Sequence, residues 1–303
     1  MIQHFKNFID YVEVRTKITS IFAFLISIAF LFYMKESINW KLTFIFFISM
    51  IVFDLTTTAI NNYIDTKTNN EKLQFSRRTA LNIIYVMLLI SAAFGLYLAY
   101  LTDLVVLLVG VLCFLCGIFY TFGPVPISRQ PLGEVFSGLF YGLLIPFILL
   151  YINMPKGTFI SLNIDYQSIN INLKIMSILK ILLFSTVPFC TTANIMLANN
   201  ICDLEKDIKV KRHTLPYYLG NKSLYLYAGL YYLTYISVII MVILKYLSPL
   251  CLISVLTLFF VQKNINKFYE VQDKGKTFIL SIKNYLIIMG SNTIIIFISG
   301  ILS

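Results

Sequence analysis

The sequence predicts an all-α protein, a polytopic transmembrane bundle of about nine helices, and three observations carry that prediction. Of its 303 residues, 58% are hydrophobic and only 13% are charged, and the mean hydropathy is +0.82, far more apolar than a soluble domain of ordinary usage. The apolar residues are gathered into runs of spanning length, since a helix needs about 20 of them to cross the hydrocarbon core. The runs are also continuous rather than alternating. That excludes the strands of a membrane barrel, the other architecture that satisfies its backbone in lipid.

Nine runs meet the description, at 18–34, 41–62, 79–100, 104–122, 133–152, 175–199, 222–245, 248–262 and 280–302. They follow one another through the chain, which predicts a single membrane domain over 1–303. Before the first run, Ile9 to Lys17 is mixed in charge and is expected to lie in the interface. Because Asp10 and Glu13 follow Lys6 and the run itself has a span's length, it reads as a span and not as a secretory signal.

The second run carries Asp54, an ionisable group inside a span and so a functional-site candidate; the Thr56, Thr57 and Thr58 that follow make a neutral, hydrogen-bonded packing residue the alternative, and Asp54 is not placed in the metal site. The loop after it, Thr66 to Arg78, supplies Lys67, Lys72, Arg77 and Arg78. The third and fourth runs look structural. Cys113 and Cys116 have the Cys-x-x-Cys spacing, but inside an apolar helix with no His or second pair nearby they are expected to pack.

Next comes Tyr120-Thr121-Phe122-Gly123-Pro124-Val125-Pro126, where the prolines impose an extended turn, and Leu132-Gly133-Glu134 opens the fifth run. The polar stretch Met154 to Leu173 is expected to be a connector. In the sixth run, Pro188 frees backbone groups that Thr191, Thr192, Asn194 or water can satisfy. The loop beyond, Asp203 to Arg212, is the most charged in the chain. Runs seven to nine hold few polar groups besides Asn284 and Asn292 and are read as the bundle wall. His4 and His213 are too few and too separated for a histidine metal site.

The net charge of +10 raises nucleic acid as a partner, but the placement of the charge points to topology instead. Counted with the residues at the run ends, the N-terminal segment and the loops after even-numbered runs carry 17 Lys and Arg, against 5 in the loops after odd-numbered runs. The positive-inside rule then places the N-terminus and the even loops in the cytoplasm, and the odd number of runs sends the C-terminus outside.

One pattern occurs twice. Asn61-Asn62-Tyr63-Ile64-Asp65 and Asn199-Asn200-Ile201-Cys202-Asp203 share Asn-Asn-x-x-Asp, each at the end of an apolar run. Residues four apart share a helix face, which stacks Asn61, Asp65 and Asn69 on one helix and Asn199, Asp203 and Asp207 on the other. Two oxygen-lined faces suit a hard cation, and Mg²⁺ in particular completes its shell with substrate phosphates. Helix capping explains one such motif equally well. Two copies, each followed by a basic loop on the same expected membrane side, favour the metal.

Together these residues resemble the UbiA superfamily of intramembrane prenyltransferases, over essentially the whole chain. The resemblance rests on Arg15-Thr16-Lys17, where the family has Arg-Pro-Lys; on Asn61 to Asp65; on Tyr120-Thr121-x-Gly123-x-x-Pro126 with Leu132-Gly133-Glu134; and on Asn199-Asn200-x-x-Asp203-x-x-x-Asp207, continuing through Arg212 to Thr214-Leu215 and Leu219-Gly220. The pattern is similar to the family's menaquinone branch, whose next acid after the first motif falls at Glu71. There are departures. Asn62 and Asn69 stand where many members have Asp, Lys211 replaces a usual Gly before Arg212, and the loop after Glu71 lacks an Arg-Pro pattern.

The resemblance implies a UbiA-like nine-helix bundle and Mg²⁺-dependent transfer of a polyprenyl group from a prenyl diphosphate to an aromatic acceptor, in that branch 1,4-dihydroxy-2-naphthoate, which loses its carboxyl as carbon dioxide. It implies metal ligation by Asn61, Asp65, Glu71, Asn199, Asp203 and Asp207, with Asp65, Asp203 and Asp207 central to catalysis, and substrate binding by Arg15, Lys17, Lys67, Arg212 and Tyr120. The partners implied are the two substrates and the lipid bilayer, with no nucleic acid. Other acceptors within the family, such as hydroxybenzoate, homogentisate or haem, are the alternative. A non-catalytic transporter also buries Asn and Asp at a cation site, but here the acids cluster at one membrane face rather than at the midplane.

Overall fold

The computed structural model describes residues 2–67, 72–123, 126–164 and 166–303. Among the described residues nine helices are long and apolar enough to cross a membrane: α1 (Val14–Tyr33), α2 (Trp40–Asp65), α3 (Arg77–Leu101), α4 (Leu104–Thr121), α5 (Gly133–Asn153), α6 (Ile175–Cys202), α7 (Lys222–Ile243), α8 (Pro249–Glu270) and α9 (Phe278–Leu302). The protein is an integral membrane protein of all-helical architecture. Its chain divides into two compact units, Met1–Ile21 with Asn39–Pro126 and Phe22–Ile38 with Ile127–Ser303, so α1 belongs to the first unit through Ile21 and to the second from Phe22.

The first unit is built from α2, α3 and α4 and a short helix, Ile2–Tyr11, that precedes α1. Each span opens on a side-chain cap that satisfies an orphan amide. Asn39 accepts from Leu42 N at 3.2 Å, Ser76 from Thr79 N at 3.2 Å, and Asp103 from Val105 N at 3.0 Å. Ala80, Ile84 and Met87 recur on one face of α3 and pack with Ala59 and Ile60 of α2 around Tyr11 and Val12. Tyr11 donates its hydroxyl to Ala80 O at 3.4 Å and meets the Phe75 ring edge-on. Across the same pair of helices, Ser49 Oγ donates to Ser91 O at 2.9 Å.

The second unit is organised on α6, the span with the largest buried share, 67%. Two polar contacts join it to α7. Asn194 Nδ2 donates to Tyr227 O of α7 at 2.9 Å, and Ser237 of α7 returns a bond to Leu183 O at 2.6 Å. Opposite Pro188, α5 passes through a π-helical segment, Gly138–Leu144. A Cβ at Gly142 would lie 2.2 Å from Phe189 N and Cα, so only glycine permits this approach of two backbones. In α9, Asn284 Oδ1 accepts from Asn264 Nδ2 of α8 at 2.7 Å.

Two elements differ from the sequence expectation. The connector at Met154 to Leu173 holds an antiparallel hairpin, β1 (Ile160–Ile164) and β2 (Ile169–Leu173), with Ile160 opposite Leu173 and Ile164 opposite Ile169. The eighth span does not stop at 262: a 3₁₀ segment, Pro249–Thr257, passes into an α-helix that reaches Glu270.

Candidate active site

The first motif closes α2. Thr66 ends the helix, its N–H bonding back to Asn62 O at 3.2 Å and its hydroxyl donating to the same carbonyl at 2.7 Å. Asn61 and Asp65 are half-buried on one face, and Asn61 Oδ1 accepts from Thr121 Oγ1 at 3.2 Å. The turn after α4 is thereby tied to the first motif. Asn62 points elsewhere: its Nδ2 donates to Tyr11 O at 2.9 Å and to Glu13 Oε1 at 3.1 Å. Both partners are acceptors, so the amide is required and an aspartate would face a carbonyl and a carboxylate with no proton to offer. This accounts for one departure from the family pattern.

The cations near the first motif are sorted by the structure. Lys67 is exposed with its ammonium 5.1 Å from the centre of the Tyr63 ring, and Arg77, also against that ring, donates to Tyr63 O at 2.9 Å. Arg15 is exposed, and Tyr120 is half-buried beside Thr121. Lys17 is not a free cation at the mouth. Only 3% exposed, it pairs with Asp54 Oδ1 at 3.1 Å and donates to Asp54 O and to Thr58 Oγ1, while Ser20 Oγ donates to Asp54 Oδ2 at 2.7 Å. The substrate contact expected of Lys17 therefore gives way to a buried pairing with Asp54, which each residue needs because either charge alone in a span would be costly. Glu71 and Asn69 lie outside the described residues.

The second motif sits where α6 gives way to a short helix, Leu204–Lys209. Asn199 and Asp203 are brought together by Lys274, from the loop after α8: its ammonium donates to Asn199 Oδ1 and lies 2.7 Å from Asp203 Oδ2. Asn200, on another face, donates from Nδ2 to Glu134 Oε1 of α5 at 2.9 Å. Asp207 is buried, with Oδ1 3.8 Å from Arg212 Nη1. Burial pushes its carboxyl above the usual carboxylate range; Arg212 opposes that shift and Asp203 adds to it.

The short helix ends in a Schellman turn, Arg212 N bonding to Asp207 O at 2.9 Å and Lys211 N to Ile208 O at 3.0 Å, with Lys211 left-handed at φ 56°. That is the conformation glycine takes freely, at the position where the family usually has one. The turn delivers Arg212 beside Asp207, and Arg212 Nε is fixed by Ser128 O at 2.8 Å.

A divalent metal fits this chemistry. Glu134 Oε2, Asn200 Oδ1 and Asp207 Oδ2 are buried without a hydrogen-bond partner, and an orphaned buried oxygen costs about 1–3 kcal/mol until something takes it up. Of the eight such atoms among the described residues, seven are oxygens and one is the Asn284 amide nitrogen; the carboxylate oxygens of Glu134 and Asp207 are the donor type a hard cation requires. Among the described residues no group of three or more His, Cys, Asp and Glu side chains is gathered that could hold a metal. Sequence reasoning missed Lys274 and Ser128 entirely. Lys274 stands 71 residues from Asp203, in no motif, and only the chain's path reveals it.

A membrane-embedded helical protein with duplicated Asn-Asn-x-x-Asp helix ends and a buried acid–arginine cluster belongs to the class of intramembrane transferases. Residues 21–282 match the UbiA prenyltransferase family, and the chain belongs to that family: it is a transferase of prenyl groups. It is 28% identical over 232 residues, 72% of this chain and 68% of the relative, to 1,4-dihydroxy-2-naphthoate octaprenyltransferase of Bacillus subtilis (strain 168). In fold it is similar to digeranylgeranylglyceryl phosphate synthase, with a TM-score of 0.65 and 16% identity over 100% of both chains. It is likewise similar to a UbiA homologue from Archaeoglobus fulgidus solved with DMAPP and Mg²⁺, with a TM-score of 0.60 and 14% identity over 96% of this chain and 99% of that one.

Proposed function

We propose that residues 1–303 act as one transmembrane prenyltransferase domain that moves a polyprenyl group from a prenyl diphosphate to 1,4-dihydroxy-2-naphthoate in a Mg²⁺-dependent reaction of menaquinone synthesis. The observation that supports the diphosphate half is the buried Asp207, whose Oδ2 has no hydrogen-bond partner, with Arg212 held beside its Oδ1. The acceptor half is supported by the Bacillus relative.

Asp65, Asp203 and Asp207 supply the carboxylates, and Asn61, Asn199 and Glu71 the remaining oxygens, that would hold the metal. When bound, Mg²⁺ supplies the positive charge that neutralises the departing diphosphate. Arg212, with Nε on Ser128 O and Nη1 facing Asp207, would turn its guanidinium charge to the phosphate oxygens. Arg15 and Lys67 add exposed positive charge, and Lys17 serves by holding Asp54. Tyr120 would contribute an aromatic ring to substrate binding. Both motif loops are assigned to the cytoplasm of a bacterial cell membrane on the strength of the charge count.

The test is an acceptor panel: purified protein in detergent, one long prenyl diphosphate, Mg²⁺, and 1,4-dihydroxy-2-naphthoate, hydroxybenzoate or homogentisate in turn. Prenylated naphthoquinol with release of carbon dioxide, lost on adding a chelator, is the expected result. Turnover confined to another acceptor would overturn the naphthoate assignment, and turnover unaffected by chelation would overturn the metal.

A further inference from the structure

We propose that Lys274 is a tethered counter-cation for the second motif: it holds Asn199 and Asp203 when no divalent metal is present, competes with the metal for them, and is handed to the diphosphate when the two bind together. The inference deepens the reading above and rests on it, since it assumes that the second motif holds metal.

The placement of Lys274 is built rather than incidental. Its ammonium meets the same two side chains, Asn199 Oδ1 and Asp203 Oδ2, that the motif offers to a cation. Lys206, three residues after Asp203, shows what an ordinary surface cation does here: it lies 3.9 Å from the other Asp203 oxygen with its side chain 79% exposed, against 38% for Lys274. The Lys274 ammonium is also 4.6 Å from the centre of the Phe278 ring.

The loop that carries Lys274 is fixed on both sides of it. Asp273 Oδ1 accepts from Gly275 N at 3.0 Å and Lys276 N at 2.8 Å. Thr277 Oγ1 accepts from Asp273 N at 2.9 Å and donates to Val271 O at 2.7 Å. Such a side chain-to-backbone turn sets the loop in one conformation, so the lysine is aimed before any ligand arrives.

Two consequences follow from charge. An ammonium and a divalent ion cannot share one carboxylate oxygen and one amide oxygen without strong repulsion, so metal entering alone must first displace Lys274. The displaced ammonium stays within a flexible four-carbon stem of the motif, where the anion it can next pair with is the substrate's diphosphate. Removing the lysine therefore moves two affinities in opposite directions, which loss of a merely structural contact would not do.

The experiment uses the full chain in detergent, with Mn²⁺ as an EPR-visible stand-in for Mg²⁺ and geranyl diphosphate as the second probe. Lys274→Ala should bind Mn²⁺ alone roughly three- to tenfold more tightly than the wild type, the range expected for one partly exposed charge contact. At saturating Mn²⁺ it should bind geranyl diphosphate more weakly by a similar factor. Lys274→Arg keeps the charge and should stay near wild type in both. Lys274→Gln provides the same comparison with a longer polar stem should the alanine variant fold poorly. Asp203→Asn separates the two readings: if it weakens Mn²⁺ binding while Lys274→Ala leaves that binding unchanged or weaker, the counter-cation role is overturned and the metal site stands. If Asp203→Asn leaves Mn²⁺ binding untouched, the metal reading falls and takes the lysine proposal with it.

Discussion

At the scale of single residues, the paired asparagines divide their labour. In each motif the first Asn and the Asp share a face, and the second Asn is turned to hold a neighbour: Asn62 on Tyr11 O and Glu13, Asn200 on Glu134. The motif is legible in sequence because helical spacing alone sets which residues share a face. The partners are not, because Glu134 is 66 positions from Asn200 and Thr121 is 60 from Asn61, separations that leave no periodic trace. Asp65→Ala and Asp203→Ala are each expected to lower prenyl transfer by roughly 100-fold or more, beyond the 10- to 100-fold typical of residues that only support a metal ligand, while insertion and yield stay normal. Retention of full activity by either would remove it from the proposed metal shell. Asp207 yields a pH signature. Its carboxyl is raised in the folded state, chiefly by burial, so the stability it contributes is complete below the unfolded carboxyl value and is lost as pH rises through the folded one. Asp207→Asn cannot ionise and avoids that loss. In metal-free protein, the melting temperature of the variant relative to wild type should climb from acid to neutral pH; a difference that stays flat with pH would contradict the burial of the charge.

Elements were readable to the extent that their hydrophobic pattern was local. Continuous apolar runs located all nine spans, but α8 continues past its run because Val261, Ile265 and Phe268, spaced by four and three, remain buried while the residues between them turn polar. An amphipathic helix end of that kind is invisible to a search for continuous apolarity. The hairpin was overlooked for the opposite reason: Ile-Ser-Leu-Asn-Ile and Ile-Asn-Ile-Asn-Leu alternate with period two, the mark of a half-buried strand, within a stretch whose polarity reads as loop. Lys211 and Gly142 show how an element's geometry constrains one position. The Schellman turn puts Lys211 in the left-handed region, which costs a non-glycine residue about 1–2 kcal/mol, partly offset by the chain entropy that a glycine adds to the unfolded state. Lys211→Gly should therefore stabilise the protein by about 0.5–1 kcal/mol, seen as a higher melting temperature in detergent; a drop would mean that the lysine side chain contributes more than its backbone costs. Gly142→Ala should do the reverse, destabilising by about 1–3 kcal/mol because its Cβ would meet the Phe189 backbone. Gly229→Ala, in a helix where a Cβ meets nothing within 4 Å, is the control and should be neutral or stabilising.

For the whole molecule, the sequence feature with the longest reach is the distribution of positive charge, because it bears on every loop at once. Each unit of the fold carries one copy of the motif, the first at the end of α2 and the second at the end of α6. Both are ends of even-numbered spans, so any topology in which all nine spans cross the membrane puts the two motif loops on one side, and the excess of Lys and Arg in the even loops is the basis for proposing that this side is the cytoplasm. The proposed transfer from a charged diphosphate drawn from the cytosol would need that arrangement. Labelling tests it directly. In a background lacking the five native cysteines, Lys72→Cys, exposed in the loop after α2, should react with a membrane-impermeant thiol reagent only once the membrane is opened. Ser168→Cys, exposed between β1 and β2 after α5, should react in intact cells. Reaction of both from outside would break the alternation and with it the count of nine crossings. Exchange of the two patterns would keep the count but invert the protein, leaving the prenyl diphosphate to be delivered from the opposite face. Magnesium with a non-hydrolysable prenyl diphosphate should slow labelling at position 72 in opened membranes and leave position 168 unaffected, because only the first of these loops adjoins a motif proposed to hold the metal.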